Sequence, residues 1–179
     1  MRSLISPRLL LREWEEKDID FLLDMYSRWE VARYLGPEPR ALEGHDDAVA
    51  TLSRWRSRQD DVHTIWAIQD RSTGHLLGTA LLIPLLASGE RLTPAEETEI
   101  GWHLHPKAWG RGYATEAANA VLAYAARSGI DPVLAVTRPE NTASQAVCRR
   151  LGMRHAGQTG RYYNTTLELF TTAREPTAP

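Results

Sequence analysis

A chain of 179 residues with 42% hydrophobic and 25% charged content is long enough to bury a core of its own, and a single domain over residues 1–173 is expected. A formal charge of −2 and a pI near 6.3 argue against a nucleic-acid partner. One cysteine, Cys148, excludes an internal disulfide and fits a reducing compartment, and no apolar run approaches the roughly 20 residues that span a bilayer, so a cytoplasmic protein without a membrane partner is expected.

In chain order, Arg8 to Trp14 reads as a first strand entered from Pro7, after an N-terminus whose apolar part is too short for a signal peptide. From Asp18 to Leu35, Ile19, Leu22, Leu23, Tyr26 and Trp29 recur at helical spacing until Gly36-Pro37 stops the helix. A second helix is predicted from His45 to Arg58, with Val49, Leu52 and Trp55 on one side. Residues His63 to Gln69 and Leu76 to Pro84 read as a hairpin around the polar turn Asp70–Gly74. A polar loop from Ala87 to Glu96 leads into a strand from Glu97 to His105.

A helix over 112–128 is capped by Gly129, and Pro132 to Thr137 is a short strand. Asn141 to Leu151 is a further helix closed by Gly152. Two strands, around Met153–Gln158 and Tyr162–Thr171, finish the fold, and residues 174–179 are expected to be a disordered tail. Helices alternating with strands in the second half imply parallel pairing there, whereas the hairpin implies antiparallel pairing earlier. The result is an α/β chain with a mixed sheet.

The run Trp109-Gly110-Arg111-Gly112-Tyr113-Ala114-Thr115-Glu116-Ala117 carries the most information. Its glycines let the backbone approach a ligand, and no Ser, Asp or Asn stands immediately before the first turn to cap it. An anion suits that place, because a helix start presents unpaired N–H groups and the positive end of a dipole. Taken alone, the run reads equally as a turn that starts a helix. It is neither a Walker loop, lacking Gly-Lys-Ser/Thr, nor a dinucleotide fingerprint, since its glycine spacing is wrong.

Preceded by Glu99-Ile100-Gly101-Trp102-His103-Leu104-His105-Pro106, this run resembles the acetyl-CoA-binding segment of the GNAT acyltransferase superfamily. Gly112 and Ala114 match the last two anchors of the loop Gln/Arg-x-x-Gly-x-Gly/Ala, with Trp109 at its first. The form Trp-Gly-Arg-Gly-Tyr-Ala-Thr-Glu-Ala is typical of the branch that acetylates ribosomal-protein N-termini. Pro7-Arg8-Leu9-Leu10-Leu11-Arg12 and Asn141-Thr142-Ala143-Ser144 leading to Leu151-Gly152-Met153 match that branch as well, in the same order.

The resemblance implies a mostly antiparallel sheet, flanked by helices, with one parallel pair splayed around the acetyl-CoA site. The backbone of Trp109, Gly110, Arg111, Gly112, Tyr113 and Ala114 would hold the CoA pyrophosphate, and the strand Trp102-His103-Leu104 would pair with the pantetheine arm. Arg111 either adds charge near a phosphate or is simply solvated. Asn141 would contact the cofactor, a role compatible with an N-cap. Many relatives carry a tyrosine seven residues after that asparagine as the acid that reprotonates the CoA thiolate. Cys148 stands there instead and reads as a small buried side chain, leaving Ser144 either as the substitute acid or as a structural serine.

Glu99 matches an acidic residue found on this strand in many relatives. It is the first choice for a base that takes the amine proton, against the alternative of a solvated edge charge. Glu99, Gly101, His103 and His105 alternate onto one strand face if no bulge intervenes. His103 and His105 lack a third ligand at metal-binding spacing, so no metal is expected. Trp29, Tyr34, Trp55, Trp66, Trp102, Tyr162 and Tyr163 include those that shape an acceptor pocket, most of them being core, and Gly36–Gly44 reads as a rim loop. The implied activity is N-acetylation of a primary amine, on a protein N-terminus or a small molecule, by direct attack in a ternary complex of a monomer or homodimer. The alternative is a non-catalytic acyl-CoA-binding module of the same fold.

Overall fold

The computed structural model describes residues 3–173, so the predicted tail lies outside the described residues. Among the described residues there are eight strands, several of them near-continuous apolar runs: β1 (Leu4–Ile5), β2 (Leu9–Glu13), β3 (Thr64–Asp70), β4 (Leu76–Ala87), β5 (Thr93–Leu104), β6 (Val133–Thr137), β7 (Arg154–Thr159) and β8 (Leu167–Thr171). They form one sheet in the order β1-β2-β3-β4-β5-β6-β8-β7, antiparallel throughout except for β5 beside β6. The parallel expectation therefore narrows to this one pair, because β8 returns antiparallel onto β6.

Among the described residues, five α-helices cover the sheet: α1 (Ile19–Tyr26), α2 (Trp29–Ala32), α3 (His45–Ser57), α4 (Tyr113–Arg127) and α5 (Thr142–Arg150). One face of the sheet packs Trp66, Leu82, Ile100 and Phe170 with Ala117 and Val121 of α4 and Cys148 of α5. The other packs Ile65, Ala67 and Leu81 against Leu22, Met25 and Tyr26 of α1 and Leu52 of α3. Each face is thus sealed by helices, the usual solution for a sheet apolar on both sides.

Several boundaries differ from the sequence expectation. The predicted helix over 18–35 is broken at Arg28, which is extended at φ −80° and ψ 117°. A continuous helix would put Trp29 on the buried stripe of Leu22, Met25 and Tyr26. The break rotates the chain, so that Val31 and Ala32 are buried and Trp29 is 56% exposed. In α3, Val49 is likewise exposed, and Ala48, Thr51 and Leu52 face the core. The hairpin arms β4 and β5 consume half of the predicted 87–96 loop, with Leu86 opposite Pro94 and Ala87 opposite Thr93. In α5, Ala143 is exposed rather than packed with Val147 on the sheet. The strand expected from Tyr162 begins only at Leu167, because Tyr163 and Asn164 are left-handed, at φ +58° and +51°.

Candidate active site

The site begins where β5 and β6 part. They pair only at Thr98 with Val133 and Glu99 with Leu134, after which the β6-facing edge of β5 is open. Strand peptides alternate sides, and the His105 N–H bonds to the Leu77 carbonyl of the hairpin partner at 2.9 Å. The peptide of Trp102 and the N–H of Leu104 therefore face the open edge, while the peptide of His103 faces β4. The Leu104 carbonyl accepts a hydrogen bond from the Trp109 indole N–H at 2.8 Å. An extended chain with its own donors and acceptors, such as a pantetheine arm, fits such an edge.

The glycine-rich loop sits beside that edge. Gly110 and Gly112 hold φ of +71° and +78°, a region that penalises any Cβ. Gly112 is the N-cap of α4, and no side chain caps its first turn. Those free N–H groups and the helix dipole suit a phosphate. The Arg111 side chain is exposed above the Tyr113 ring, 5.1 Å from its centroid. Trp109 is also largely exposed, and Ala114 packs against the core.

A clamp absent from the sequence reading holds this loop. Glu116 Oε1 accepts from the Ser6 hydroxyl at 2.7 Å and the Arg8 N–H at 2.8 Å, while its Oε2 pairs with Arg8 Nε at 2.6 Å. Arg8 also donates to the Arg111 carbonyl at 3.1 Å and lies 4.6 Å from the Tyr113 ring centroid. The two widely separated motifs thus interlock physically. Glu116→Ala is expected to cost roughly 2 kcal/mol by stranding partners of a charged acceptor, and to weaken acetyl-CoA binding several-fold. Urea unfolding and calorimetry check this, and an unchanged affinity would uncouple clamp from loop.

On β5, residues Thr98–Leu104 pair without a break to Gly78–Pro84, the register shift falling before Thr98. Glu99, Gly101 and His103 therefore do share one face. Glu99 is half-buried, and its Oε2 accepts a hydrogen bond from the Tyr163 hydroxyl. Burial pushes its pKa up to about 7, against the opposing pull of Tyr163. Further along, His103 Nδ1 and Thr79 Oγ1 each lie 2.8 Å from the Tyr26 hydroxyl, and burial pushes His103 down to about 4, which keeps the ring neutral.

His105 leaves this group. It is buried against Phe21, bonds Asp24 at 3.1 Å, and accepts from the Lys107 N–H to cap a single 3₁₀ turn. Among the described residues, no cluster of three or more His, Cys, Asp or Glu side chains could hold a metal.

Asn141 caps α5, its side chain accepting from the Ser144 N–H at 3.2 Å. The half-buried Ser144 hydroxyl has no hydrogen bond among the described residues. Cys148 is fully buried in the core and burial pushes its thiol up to about 12, so it is packing rather than chemistry. Arg138, missed from sequence, donates to Thr165 Oγ1 at 2.8 Å and to the Gly36 and Pro37 carbonyls at 3.0 and 3.1 Å, tying the rim loop to the β7–β8 connection. Its position between β6 and Asn141 is a motif neighbour, but nothing in the sequence names its partners.

Residues 8–154 match the family described as Acetyltransferase (GNAT) domain. The chain is 27% identical over 181 residues to the Bacillus subtilis protein named uncharacterized N-acetyltransferase YoaA, covering 96% of this chain and 98% of that one. It is similar to a crystal structure of a GNAT-family acetyltransferase from Bacillus anthracis, at 25% identity and TM-score 0.73, over 95% and 96% of the two chains. It also shares the fold of RimL, described as a ribosomal L7/L12 alpha-N-protein acetyltransferase, in complex with coenzyme A, at 18% identity and TM-score 0.74, over 95% and 97% of the two chains. The open strand edge, the uncapped helix start and the matched family agree: this chain belongs to the GNAT acetyltransferases, enzymes of acetyl-CoA-dependent N-acetylation.

Proposed function

We propose that the acceptor is a primary amine of the α-amino class, on a peptide N-terminus or a small molecule, and that Glu99 takes its proton. The observation that carries this reading is the half-buried Glu99 carboxyl, at the last paired position before the strands part, with a pKa pushed to about 7. A base near 7 is matched to an α-amino group near 8 rather than to a lysine near 10.4. The shared fold with RimL supports the same class.

Acetyl-CoA supplies the acetyl group when bound. The peptide of Trp102 and the N–H of Leu104 would orient its extended arm, and the α4 start with Gly110 and Gly112 would hold its phosphates. Asn141 fixes the start of α5, and the Ser144 Oγ is free to donate a proton beside it. The test is calorimetry with acetyl-CoA, followed by CoA release across free-N-terminal peptides, N-blocked lysine peptides and small amines. Release with free α-amino groups is expected. Release confined to the N-blocked lysine peptides overturns the acceptor class, and absence of acetyl-CoA binding overturns the site.

A further inference from the structure

The connection between β7 and β8 is built to bring one hydroxyl to one carboxylate. Tyr163 and Asn164 occupy the left-handed region in succession, a conformation that costs free energy for any residue with a Cβ and persists only where surroundings enforce it. The enforcement is visible. The Gly89 N–H donates to Asn164 Oδ1 at 2.9 Å and Asn164 Nδ2 donates to the Gly89 carbonyl at 3.0 Å. The Tyr163 N–H bonds the Leu86 carbonyl at 3.0 Å, and Ser88 Oγ accepts from the Asn164 N–H at 3.0 Å. The loop is thereby sewn to the β4–β5 turn, and what it presents is the Tyr163 hydroxyl, bonded to Glu99 Oε2.

We propose that Tyr163 is a positioning residue for acetyl transfer: its hydroxyl fixes the Glu99 carboxyl at the mouth of the β5–β6 gap and favours the ionised form that can accept a proton from the amine. This rests on the reading of Glu99 as the base. Tyr163 acts through Glu99 alone, donating one hydrogen bond and exchanging no proton, since burial and the adjacent carboxylate hold its own ionisation far above the ordinary tyrosine range.

Among the described residues, Tyr163 is the polar side chain that bonds Glu99. Across the sheet Glu99 faces Ile83 of β4 and Leu134 of β6, both apolar. Along β5, Glu97 is engaged by Arg161 at 2.6 Å and Tyr162 at 3.0 Å. His103 lies four residues away beyond Gly101 and is neutral. His63, after α3, is turned to Asp60 at 2.7 Å and Thr98 at 3.2 Å. Arg58, at the end of α3, is the cation whose field reaches Tyr163.

The experiment is a titration of the Glu99 carboxyl carbon by NMR in the wild-type protein and in Tyr163→Phe, the signal being assigned by its loss in Glu99→Gln. Removing a bond that favours the carboxylate is expected to move the midpoint upward by about one pH unit. With the most active amine of the panel, the acidic limb of kcat/KM should move by the same amount. That is about a fivefold loss at pH 7, approaching tenfold below about pH 6 and recovering at alkaline pH, with the KM for acetyl-CoA unchanged. An unmoved midpoint, or a loss equal at every pH, overturns the role of Tyr163. Full turnover in Glu99→Gln overturns the base instead, and the midpoint in Tyr163→Phe still reports the tether, because that measurement needs no turnover.

Discussion

Glu99→Gln is expected to lower kcat at least roughly a hundredfold, the lower end of what a positioned base contributes, while leaving acetyl-CoA affinity nearly unchanged. Gln keeps the size of the side chain and an oxygen that can accept from Tyr163, so the shape of the site survives. What it lacks is the ability to take a proton. The wild-type kcat/KM should rise through about pH 7, because below that pH the Glu99 carboxyl is protonated and useless as a base. The variant should lose this limb.

Stability gives an independent reading of the same burial. A carboxyl with a folded-state pKa above its unfolded value of about 4.5 stabilises the fold fully below that value, and the contribution fades as pH climbs through about 7. Urea unfolding of the wild type relative to Glu99→Gln should therefore shift in favour of the Gln variant between pH 5 and 8. A constant difference across that range would show that the carboxyl is hydrated like a surface glutamate.

The second large effect lies in the backbone. A Cβ on Gly78 would sit 2.1 Å from the His103 carbonyl oxygen and 2.8 Å from Leu104 Cα. Neither is the far end of a flexible side chain, so β4 and β5 must separate where β5 presents its open edge. Gly78→Ala is expected to cost ~3 kcal/mol, since overpacking against backbone has no cheap relaxation, and to lower Tm by about 10 °C. Acetyl-CoA binding should fall with it, because Leu104 is displaced. Gly160→Ala is the control: its Cβ meets nothing within 4 Å and its backbone is not left-handed, so a change within about 0.5 kcal/mol is expected. Equal Tm values for the two variants would refute the close approach.

The elements legible from sequence were those whose residues must satisfy a local rule. Gly110, Gly112, Gly129 and Gly152 all occupy positive φ, a demand that glycine meets at no Cβ cost, so they mark the loop and the helix ends. The stripe of Ala117, Val121 and Ala125 marks α4 because all three are buried on one side. What was not legible depends on distant partners. Trp29 has the spacing of a core residue, yet the helix break at the extended Arg28 carries it to the surface. Tyr163 sits in a run that reads as a strand, and only its own bond to Leu86 and the stitching of its neighbour Asn164 to Ser88 and Gly89 reverse that reading. The Glu116 carboxylate looks like an ordinary first-turn acid until Ser6 and Arg8 are folded against it.

The enclosure of Cys148 has a practical consequence. It is the sole thiol of the chain, inert to disulfide exchange while folded because it is both inaccessible and protonated. A chromogenic disulfide such as Ellman's reagent will therefore register released CoA without a contribution from the native enzyme. The same reagent becomes a reporter of unfolding: colour that develops without acceptor at rising denaturant counts molecules whose core has opened.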